Sequence, residues 1–542
     1  MPNHKHNYLY VLVWVTVIAL CALPLLTLFL RVLPKFRIFH LLWEPAVLKS
    51  LGLTLSMGLG SLLLALVLGL PVSYLTTRTN VPMRRFFQTW LFFPYFIPSF
   101  LFAIAWVVLA LPQSGILNRW AGTDWISIYN FQGLVLVSCN AFFPIIVTTL
   151  SKGFASMDPS LEEAARISGA SPLKVFLKIN LPCQLPTIFG AGALFLLLVF
   201  SSFGIPAIIG SPSKLYVLTT QIYTYSKMGG LDGAEKGFVI SLWLIGFAIA
   251  LIGLRRWVNH TYQVKLTTGK ASRPSVIDLG FWKVPSVFFL AILFLVFILL
   301  PLGAIFLSSF LKVAGDVSFS NLTTANYNYL FHMNETLSAF GNSFALAFLG
   351  GISCCAVGLG ISYYVSRYAN KRNYILESLA TLPFSIPGTV IALALIVSFG
   401  RVWGIGNISL LGTPFILLLA YISKDLAISV QTLTPALGQI DKSLEEAGKV
   451  CGATSAEVTD KVLFPLLFPA LKGVFLLSAL PMISELTMSI LLFGPGTETV
   501  GTLIFQLQDY ANPLAACALA TFVILILTLG MLFSQRLSRM AS

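Results

Sequence analysis

The chain is a succession of long apolar runs separated by short polar segments. An α-helix needs about 20 mostly apolar residues to cross a hydrocarbon layer of about 30 Å. Twelve runs meet this length, with approximate ranges of 8–31, 51–76, 88–111, 131–151, 187–210, 237–254, 284–309, 342–366, 378–400, 411–431, 470–493 and 513–534. Because the runs are unbroken, they favour helices over barrel strands. The pattern therefore predicts an all-α polytopic membrane protein with about 12 transmembrane helices.

Composition agrees with a chain that faces lipid. Hydrophobic residues make up 57% and charged residues 10% of the sequence, whereas soluble domains contain about 25% charged residues. The formal charge of +14 does not indicate nucleic-acid binding, because the basic residues form short clusters between the apolar runs. Such clusters are what the positive-inside rule produces.

Lysine and arginine positions also predict the orientation. The segment richest in basic residues lies between the sixth and seventh runs and contains Arg255, Arg256, Lys265, Lys270, Arg273 and Lys283. Placing it inside the cell puts both termini in the cytoplasm. The first run, from Tyr8 to Leu30, exceeds the 7–15 residues of a signal-peptide core, and no small-x-small cleavage site follows it. We expect this first span to be retained.

Cysteine usage gives no sign of a disulfide framework or a metal site. The seven cysteines are Cys21, Cys139, Cys183, Cys354, Cys355, Cys451 and Cys517. They form no CxxC pair, and most lie in apolar runs, where a free cysteine behaves as a small hydrophobic residue.

A repeat without gaps relates residues 157–186 to residues 440–469 at a constant offset of 283. The first segment reads MDPSLEEAARISGASPLKVFLKINLPCQLP, and the second reads IDKSLEEAGKVCGATSAEVTDKVLFPLLFP. Asp158 matches Asp441, and the run Ser-Leu-Glu-Glu-Ala begins at Ser160 in one copy and at Ser443 in the other. An internal repeat of this kind indicates a duplicated architecture.

A second register, with an offset of 289, relates the earlier parts of the two copies. The matched residues are Ser73, Tyr74, Arg78, Pro94, Ile97 and Pro98 with Ser362, Tyr363, Arg367, Pro383, Ile386 and Pro387. Six spans separate each segment from its copy, so both copies have the same orientation. We predict two parallel six-helix halves, at 48–258 and 338–535. Residues 1–47 form an N-terminal transmembrane helix and periplasmic segment, and residues 259–337 form a cytoplasmic linker, the seventh helix and a periplasmic loop.

Each copy of the repeated loop has the chemistry of a short cytoplasmic helix. Asp158 or Ser160 can cap its start, and Glu162 and Glu163 lie in the first turn, where the helix dipole favours negative charge. Small residues follow, which allow another surface to approach the backbone, and the glycines at 169 and 452 are suited to end the helix. An amphipathic helix lying on lipid is the simpler interpretation of one copy. Two near-identical copies favour two equivalent docking sites on a symmetric partner.

The repeated loop resembles the EAA loop of type I ABC importer permeases. The first copy has Glu163-Ala164-Ala165, then Gly169, then Ile179-x-Leu181-Pro182. The second copy has Glu446-Ala447-Gly448, then Gly452, then Val462-x-Phe464-Pro465, and so departs mildly at the third, isoleucine and leucine positions. The resemblance covers both halves.

The resemblance implies that the loops dock into a groove on an ATPase subunit and transmit its closure to the membrane helices. The implied coupling residues are Glu162, Glu163, Ala164, Ala165, Gly169, Glu445, Glu446, Ala447, Gly448 and Gly452. The chain contains no GxxxxGK[ST] phosphate loop; Gly269-Lys270 lacks the upstream glycine and is followed by Ala271. We therefore expect no cofactor on this chain. ATP and Mg²⁺ would bind two copies of a partner ATPase, and a periplasmic or lipid-anchored binding protein would deliver the substrate.

The fusion of two halves is similar to ferric-iron importer permeases, and also to thiamine and 2-aminoethylphosphonate permeases. Two matching segments, Ser201 to Ala207 in the first half and Ser484 to Met488 in the second, look most like the ferric-iron group. The resemblance favours ferric iron as the substrate and leaves the other two open.

Four residues are candidates for the translocation path: Glu485, Ser202, Lys424 and Asp425. A carboxylate within the predicted eleventh span is costly and usually faces a bundle interior or a water-filled path. A hard cation would suit Glu485 as a ligand, although a pair with Lys424 is an equally good structural explanation. Lys424 and Asp425 are adjacent and point about 100° apart on a helix, so they cannot both face one neighbour.

Residues in the predicted outer loops are candidates for contact with the binding protein, although interfacial aromatic anchoring is the simpler explanation. They are Tyr216, Tyr223, Tyr225, Asp509 and Tyr510. Two other classes of protein were considered. A secondary transporter would require paired intramembrane charges and no repeated docking loop, and a membrane-embedded enzyme would require a catalytic cluster such as HExxH, which the sequence lacks.

Overall fold

A computed structural model of the chain describes residues 4–261, 276–368, 370–400 and 409–540. Within these ranges the protein is helical, apart from the two isolated bridges Thr79–Ile277 and Leu311–Leu322. Among the described residues, nine helices are long and apolar enough to cross a membrane: Tyr8–Val32, Pro45–Arg78, Phe131–Ala155, Leu231–Val258, Gly280–Ser308, Asn334–Arg367, Pro414–Gly438, Thr459–Ile483 and Pro513–Leu532.

Three further spans are bent pairs of helices. They are Arg84–Phe96 with Ser99–Ala110, Phe176–Cys183 with Leu185–Ser201, and Lys371–Ser385 with Gly388–Phe399. Counting each pair as one span gives up to 12 in the described part of the chain. The all-helical fold and the number of spans are confirmed. We number these spans first to twelfth in chain order.

Shorter helices lie between the spans. They include Ile116–Ala121, Pro159–Ile167, Leu218–Met228, Ala325–His332, Lys442–Val450, Ser489–Leu492 and Val500–Gln506. The helix Pro159–Ile167 is called the first loop helix below, and Lys442–Val450 the second loop helix.

The third and ninth spans are not straight, which corrects the predicted single runs at 88–111 and 378–400. They bend by 102° and 110°. The bend occurs at Ile97 and Ile386, which have extended backbones with ψ of 130° and 136°. Each isoleucine precedes a proline, and a residue before proline is disfavoured in the α conformation. The repeated Ile-Pro pair therefore marks a repeated bend.

The fifth and eleventh spans end earlier than predicted. Their last helical residues are Ser201 and Ile483, whereas the sequence suggested helices to about 210 and 493. In the first half a π-helical turn, Pro206–Gly210, follows the break. In the second half the short helix Ser489–Leu492 follows it. Ser202 and Glu485 therefore lie in breaks after the spans rather than inside them.

The chain divides into two compact units, neither of which is contiguous in sequence. The second-half unit contains Met1–Glu44, Gln221–Ser241 and Tyr327–Ser542. The first-half unit contains Pro45–Thr220 and Leu242–Asn326. The first span thus belongs with the second half, and the seventh span belongs with the first half.

Specific contacts hold these two spans in their units. In the second-half unit, Val17 and Cys21 of the first span share an apolar cluster with Ile361 and Leu426. In the first-half unit, the side-chain amide of Asn140 donates a hydrogen bond of 2.8 Å to the carbonyl of Phe297 in the seventh span.

Two matched glycines mark close approaches between spans. One lies between the second and fourth spans, and the other lies between the eighth and tenth spans. A Cβ atom on Gly69 would lie 2.7 Å from Cγ2 of Ile146. Gly358, at the matching position, faces Ser429 in the same way. Small residues at such crossings let membrane helices pack backbone to backbone.

Candidate functional site

An aspartate caps each of the two loop helices. Asp158 accepts a hydrogen bond of 2.9 Å from the backbone N–H of Ser160, and Asp441 accepts one of 2.9 Å from Ser443. These backbone bonds favour the charged carboxylate, so they lower the pKa of Asp158 and of Asp441 below the ordinary aspartate value. The sequence left Asp158 and Ser160 as alternative caps, and the structure has Asp158.

A glycine in the left-handed conformation ends each loop helix. Gly169 has φ of +79° and Gly452 has φ of +87°. In the first copy, the N–H of Gly169 donates to the carbonyl of Arg166 and the N–H of Ala170 donates to that of Ala165, both at 3.0 Å. This arrangement satisfies carbonyls that the helix end would otherwise leave unpaired.

A buried ion pair joins the first loop helix to the second span. Nη2 of Arg78 lies 2.7 Å from Oε1 of Glu162, and both side chains are almost completely buried. Arg78 is the last residue of the second span. Glu162 therefore points into the protein, and it is Glu163 that is exposed.

The second loop helix has the same connection at matching positions. Nε of Arg367, the last residue of the eighth span, lies 2.5 Å from Oε1 of Glu445. Nη1 of Arg367 also donates hydrogen bonds of 3.2 Å and 3.1 Å to the carbonyls of Leu437 and Ile440. The sequence matched Arg78 with Arg367 and Glu162 with Glu445, but it did not pair the arginines with the glutamates. The sequence did contain a signal for this pairing, because an arginine recurs at the end of the matching apolar span in each half.

The remaining coupling residues predicted from the sequence have nearly the same exposure in the two copies. Those that are exposed are Glu163, Ala164 and Gly169 in the first copy and Glu446, Ala447 and Gly452 in the second. Ala165 and Gly448 are half-buried. The structure thus presents one equivalent surface twice.

Each loop helix also exposes large apolar residues at matching positions. Ile167 and Val450, the last residues of the two helices, are both 88% exposed, and Leu161 and Leu444 are exposed as well. Apolar side chains that recur in an exposed position on a duplicated element indicate an interaction surface.

The buried residues that follow the two loop helices in the chain differ. In the first half Asn180 and Gln184 are buried. At the matching positions in the second half, Leu463 and Leu467 are buried and belong to an apolar cluster that includes Leu437. The segment after the first loop helix therefore buries polar side chains at positions where the second half buries apolar ones.

The break after the eleventh span gives Glu485 local hydrogen-bond partners. Its carboxylate accepts bonds from the backbone N–H groups of Met488 and Ser489, at 2.9 Å and 3.0 Å, and from Oγ of Ser489 at 2.8 Å. Glu485 therefore caps the start of Ser489–Leu492, as a carboxylate does at a helix N-terminus. In the described part of the first half, the matching Ser202 is buried and its hydroxyl makes no hydrogen bond.

Lys424 and Asp425 lie in the tenth span, and both side chains are half-buried. Lys424 interacts electrostatically with Glu485 and Asp425. Among the described residues, however, neither Lys424 nor Asp425 forms an ion pair within 4.0 Å. The matching residues of the first half are Ala141 and Phe142. The charges therefore occur in one half of the duplicated scaffold.

Glu485 was also considered as a ligand for a metal. No group of three or more His, Cys, Asp or Glu residues that could hold a metal ion is found in the part of the chain that the structure describes.

The outer residues proposed from the sequence have different surroundings. Tyr216 is exposed, whereas the hydroxyl of Tyr225 donates a hydrogen bond of 3.0 Å to Oε2 of Glu44. The ring of Tyr223 lies 5.7 Å from Nζ of Lys227. Asp509 lies in the π-helical segment Leu507–Ala511, and the side chain of Tyr510 lies outside the described residues.

Two segments of the chain, residues 61–262 and 356–540, match the family described as "Binding-protein-dependent transport system inner membrane component". Together they cover more than half of the chain, and they correspond to the two halves of the internal repeat.

Several curated proteins are similar over long alignments. One is the ferric transport system permease protein FbpB of Actinobacillus pleuropneumoniae, 26% identical, with 86% of this chain and 68% of that protein aligned. Another is the Fe(3+)-transport system permease protein FbpB 2 of Haemophilus influenzae, 24% identical over 97% of both chains. A putative 2-aminoethylphosphonate transport system permease protein, PhnV of Salmonella typhimurium, is 26% identical over 46% of this chain and 92% of its own length.

Among solved structures, the chain is similar to a bacterial alginate ABC transporter in complex with an alginate pentasaccharide-bound periplasmic protein. The identity is 19% and the TM-score is 0.40, with 48% of this chain and 95% of that chain covered.

Proposed function

The chain belongs to the family of binding-protein-dependent transport system inner membrane components, and from this premise we propose that it forms the path for ferric iron in a bacterial importer. It is a multi-pass permease of an ABC transporter, and its family lacks the ATPase domain. The alternative of an ion-gradient-driven secondary transporter is not favoured, because membership of this family implies an ABC importer.

The two loop helices are the proposed docking sites for two copies of a cytoplasmic ATPase. The observation that supports this is the matched exposure of Ile167 and Val450 at the ends of two helices whose glutamates are anchored to the membrane spans. The exposed residues around them would contact the ATPase, namely Glu163, Ala164, Gly169, Glu446, Ala447 and Gly452, with Ala165 and Gly448 allowing close approach. ATP and Mg²⁺ would bind the partner.

Substitution of the two exposed apolar residues tests this docking. We expect the double variant Ile167→Glu/Val450→Glu to lose co-purification with the ATPase of the same transport system, because a charge would replace the apolar contact at both sites. Phe281→Glu is the matched control, since Phe281 is also 88% exposed but lies outside the loop helices. If the double variant retained the ATPase, the loop helices would instead be lying on lipid.

Ferric iron is the proposed substrate because several of the relatives that align over most of the chain are ferric transport permeases. An uptake assay tests this choice. It compares labelled ferric iron, 2-aminoethylphosphonate and thiamine in a deletion strain and in the same strain complemented with the gene. We expect only ferric uptake to depend on the gene. Dependence of 2-aminoethylphosphonate or thiamine uptake alone would assign the permease to that substrate instead.

The proposed translocation path includes Glu485, Lys424 and Asp425 of the second half and Ser202 of the first. Its support is that a duplicated scaffold has acquired three charges in one copy within or next to membrane spans, where charge is costly. We expect Glu485→Gln to abolish uptake while ATPase binding survives. Unchanged transport by this variant would remove Glu485 from the path.

On the opposite side of the membrane, we propose that a periplasmic or lipid-anchored binding protein docks near Tyr216, Tyr223 and Tyr225. This places both termini in the cytoplasm, as the distribution of basic residues favours. Accessibility of a cysteine introduced at Tyr216 to a membrane-impermeant thiol reagent in intact spheroplasts tests the orientation. Labelling is expected there and not at Cys451, which is exposed on the cytoplasmic side in this orientation.

A further inference from the structure

Tyr421 of the tenth span begins a chain of hydrogen bonds that ends on Glu485. It is completely buried, and its hydroxyl lies 2.6 Å from Oγ of Ser489, the first residue of the helix Ser489–Leu492. Oγ of Ser489 donates a hydrogen bond of 2.8 Å to Oε2 of Glu485. A serine hydroxyl has one hydrogen and a carboxylate can only accept, so the phenol of Tyr421 donates to Ser489. The chain therefore runs in one direction, from Tyr421 to the carboxylate.

The two oxygens of the Glu485 carboxylate are used unequally. Oε2 accepts from Oγ of Ser489 and from the backbone N–H groups of Ser489 and Met488, at 2.8, 3.0 and 3.1 Å. Among the described residues, Oε1 accepts from the N–H of Met488 alone, at 2.9 Å. No ion pair within 4.0 Å joins either oxygen to Lys424 in that part of the chain. A carboxylate has about four acceptor positions, two on each oxygen, so the chain fixes Oε2 and leaves a position on Oε1.

The main chain at Glu485 is held by a different element. A Cβ atom on Gly501 would lie 2.7 Å from the carbonyl oxygen of Glu485 and 3.1 Å from that of Ser484. The helix Val500–Gln506 can approach the break this closely because Gly501 has no side chain. Glu485 is nevertheless half-buried, whereas the residues on either side of it are buried. The carboxylate is thus fixed in position without being enclosed.

The first half ends its matching span without such a chain. Its fifth span ends at Ser201. At the offset of 283, the first-half residues that match the three members of the chain are Ser138, Ser202 and Pro206. These residues provide neither a phenol nor a carboxylate. A break at the end of the span therefore forms without the chain, and the chain has a role specific to the second half.

We propose that Tyr421 and Ser489 are positioning residues for Glu485, which they hold so that Oε1 accepts a positively charged group of the cargo. This inference rests on the proposed place of Glu485 in the translocation path. The group would be the ferric ion, or the ammonium of 2-aminoethylphosphonate or the thiazolium of thiamine if one of those is the cargo. A side chain that is ordered before the cargo arrives loses less conformational freedom on binding.

Uptake by variants expressed in the deletion strain tests the chain. The probes are labelled ferric iron, 2-aminoethylphosphonate and thiamine, and each rate is divided by the amount of permease–ATPase complex recovered. We expect Tyr421→Phe and Ser489→Ala each to lower uptake about fivefold, which corresponds to the loss of a hydrogen bond of about 1 kcal/mol. Tyr364→Phe is the matched control, because it also removes a buried phenol hydroxyl but lies in the eighth span, against Tyr10. Native uptake by both Tyr421→Phe and Ser489→Ala would overturn the proposal.

A double variant tests whether Tyr421 acts through Ser489. The phenol also interacts with the side chain of Thr499, and Tyr421→Phe removes that contact as well. In the Ser489→Ala background we expect Tyr421→Phe to cause no further loss, because the chain is already interrupted. A loss by the same factor in both backgrounds would show that Tyr421 acts independently of Glu485, contrary to the proposal.

A further comparison separates positioning from a merely structural role. Glu485→Asp retains the charge but shortens the side chain by one methylene, so the carboxylate no longer takes the same place beside Ser489. We expect it to lose uptake at least as strongly as Ser489→Ala, while the apparent Tm and the co-purification of the ATPase stay close to native in Tyr421→Phe. Native uptake by Glu485→Asp would show that charge suffices without position. A fall in the apparent Tm of Tyr421→Phe that accounted for its lost uptake would make its role structural, and either result refutes the inference.

Glu485→Gln separates this inference from the proposed function. If Glu485→Gln abolishes uptake while Tyr421→Phe and Ser489→Ala keep the native rate, the proposed path stands and only the positioning fails. If Glu485→Gln imports at the native rate, Glu485 is not in the path and both fail.

Discussion

Arg367 and Glu445 are 2.5 Å apart, from Nε to Oε1, and Arg78 and Glu162 repeat the same pair in the other half. Each pair connects the last residue of a membrane span to the first turn of a loop helix. A movement of either loop helix must therefore break the pair or move the end of the span. If an ATPase docks on the loop helices as proposed, each pair connects its movement mechanically to a membrane span.

Removing one partner from the first pair should destabilise the protein strongly. Glu162→Ala leaves Arg78 buried without a counter-charge, and breaking a buried pair in this way costs about 3–5 kcal/mol. We expect a clear fall in the apparent Tm of the detergent-solubilised protein. Glu163→Ala is the control, because an exposed side chain should change stability by less than about 0.5 kcal/mol. Equal effects of the two variants would show that the pair does not stabilise the fold.

The two pairs should respond differently to lysine. Lysine keeps the charge of arginine but cannot reproduce its planar fork. Arg367→Lys loses the hydrogen bonds to the carbonyls of Leu437 and Ile440, and bonds from charged groups are worth about 1.5–3 kcal/mol each. Arg78→Lys loses no such bonds within the described residues. We expect Arg367→Lys to lower the apparent Tm more than Arg78→Lys. The opposite order would show that the hydrogen bonds from Arg367 to the two carbonyls do not add to stability.

The glycines that end the loop helices should matter for conformation rather than for packing. A Cβ atom at Gly169 or Gly452 would meet nothing within 4 Å, but both residues have positive φ. Alanine in that conformation costs about 1–2 kcal/mol. We expect Gly169→Ala/Gly452→Ala to reduce ATPase binding while the membrane part keeps its apparent Tm. Gly438→Ala, also in open space but with an ordinary helical backbone, should bind the ATPase normally.

The capping aspartates predict a specific pH dependence. Backbone hydrogen bonds lower the pKa of Asp158 and of Asp441, so each charged cap stabilises its helix above the unfolded value of about 3.9. That stabilisation is lost as the pH falls through the lowered folded value. We expect limited proteolysis in both loops to increase at acid pH. Asparagine caps helices without titrating, so Asp158→Asn/Asp441→Asn should stay protected, and cleavage that increases equally in this variant would refute the role of the caps.

Much of the architecture could be predicted from the sequence because its signals are local or repeated. The apolar runs gave the number of spans, and the offset of 283 located both loop helices before any contact was known. The bends at Ile97 and Ile386 could also have been predicted, because each residue precedes a proline within the apolar run. The internal repeat therefore predicted the positions of both loop helices.

The remaining features depend on contacts between distant residues. Hydropathy does not distinguish a helix from the break that contains Glu485, since the apolar run continues through it. Similarly, the pairing of Arg78 with Glu162 joins residues that the chain separates by the third and fourth spans. The same holds for Lys424, whose Nζ lies 3.0 Å from the position of a Cβ atom on Gly388 in another span.

The membership of the first span in the second-half unit has a consequence for synthesis of the protein. The hydroxyl of Tyr10 donates a hydrogen bond of 2.9 Å to Asn373, a residue 363 positions later. At about 5–20 residues per second, the ribosome needs roughly 20–70 s to make that partner after the first span has emerged. During this time the span is in the bilayer without its native neighbours, and its apolar surface is covered only by lipid or by an insertion factor. In a chain truncated before residue 373, the first span would never gain this partner. It would then be a substrate for membrane proteases.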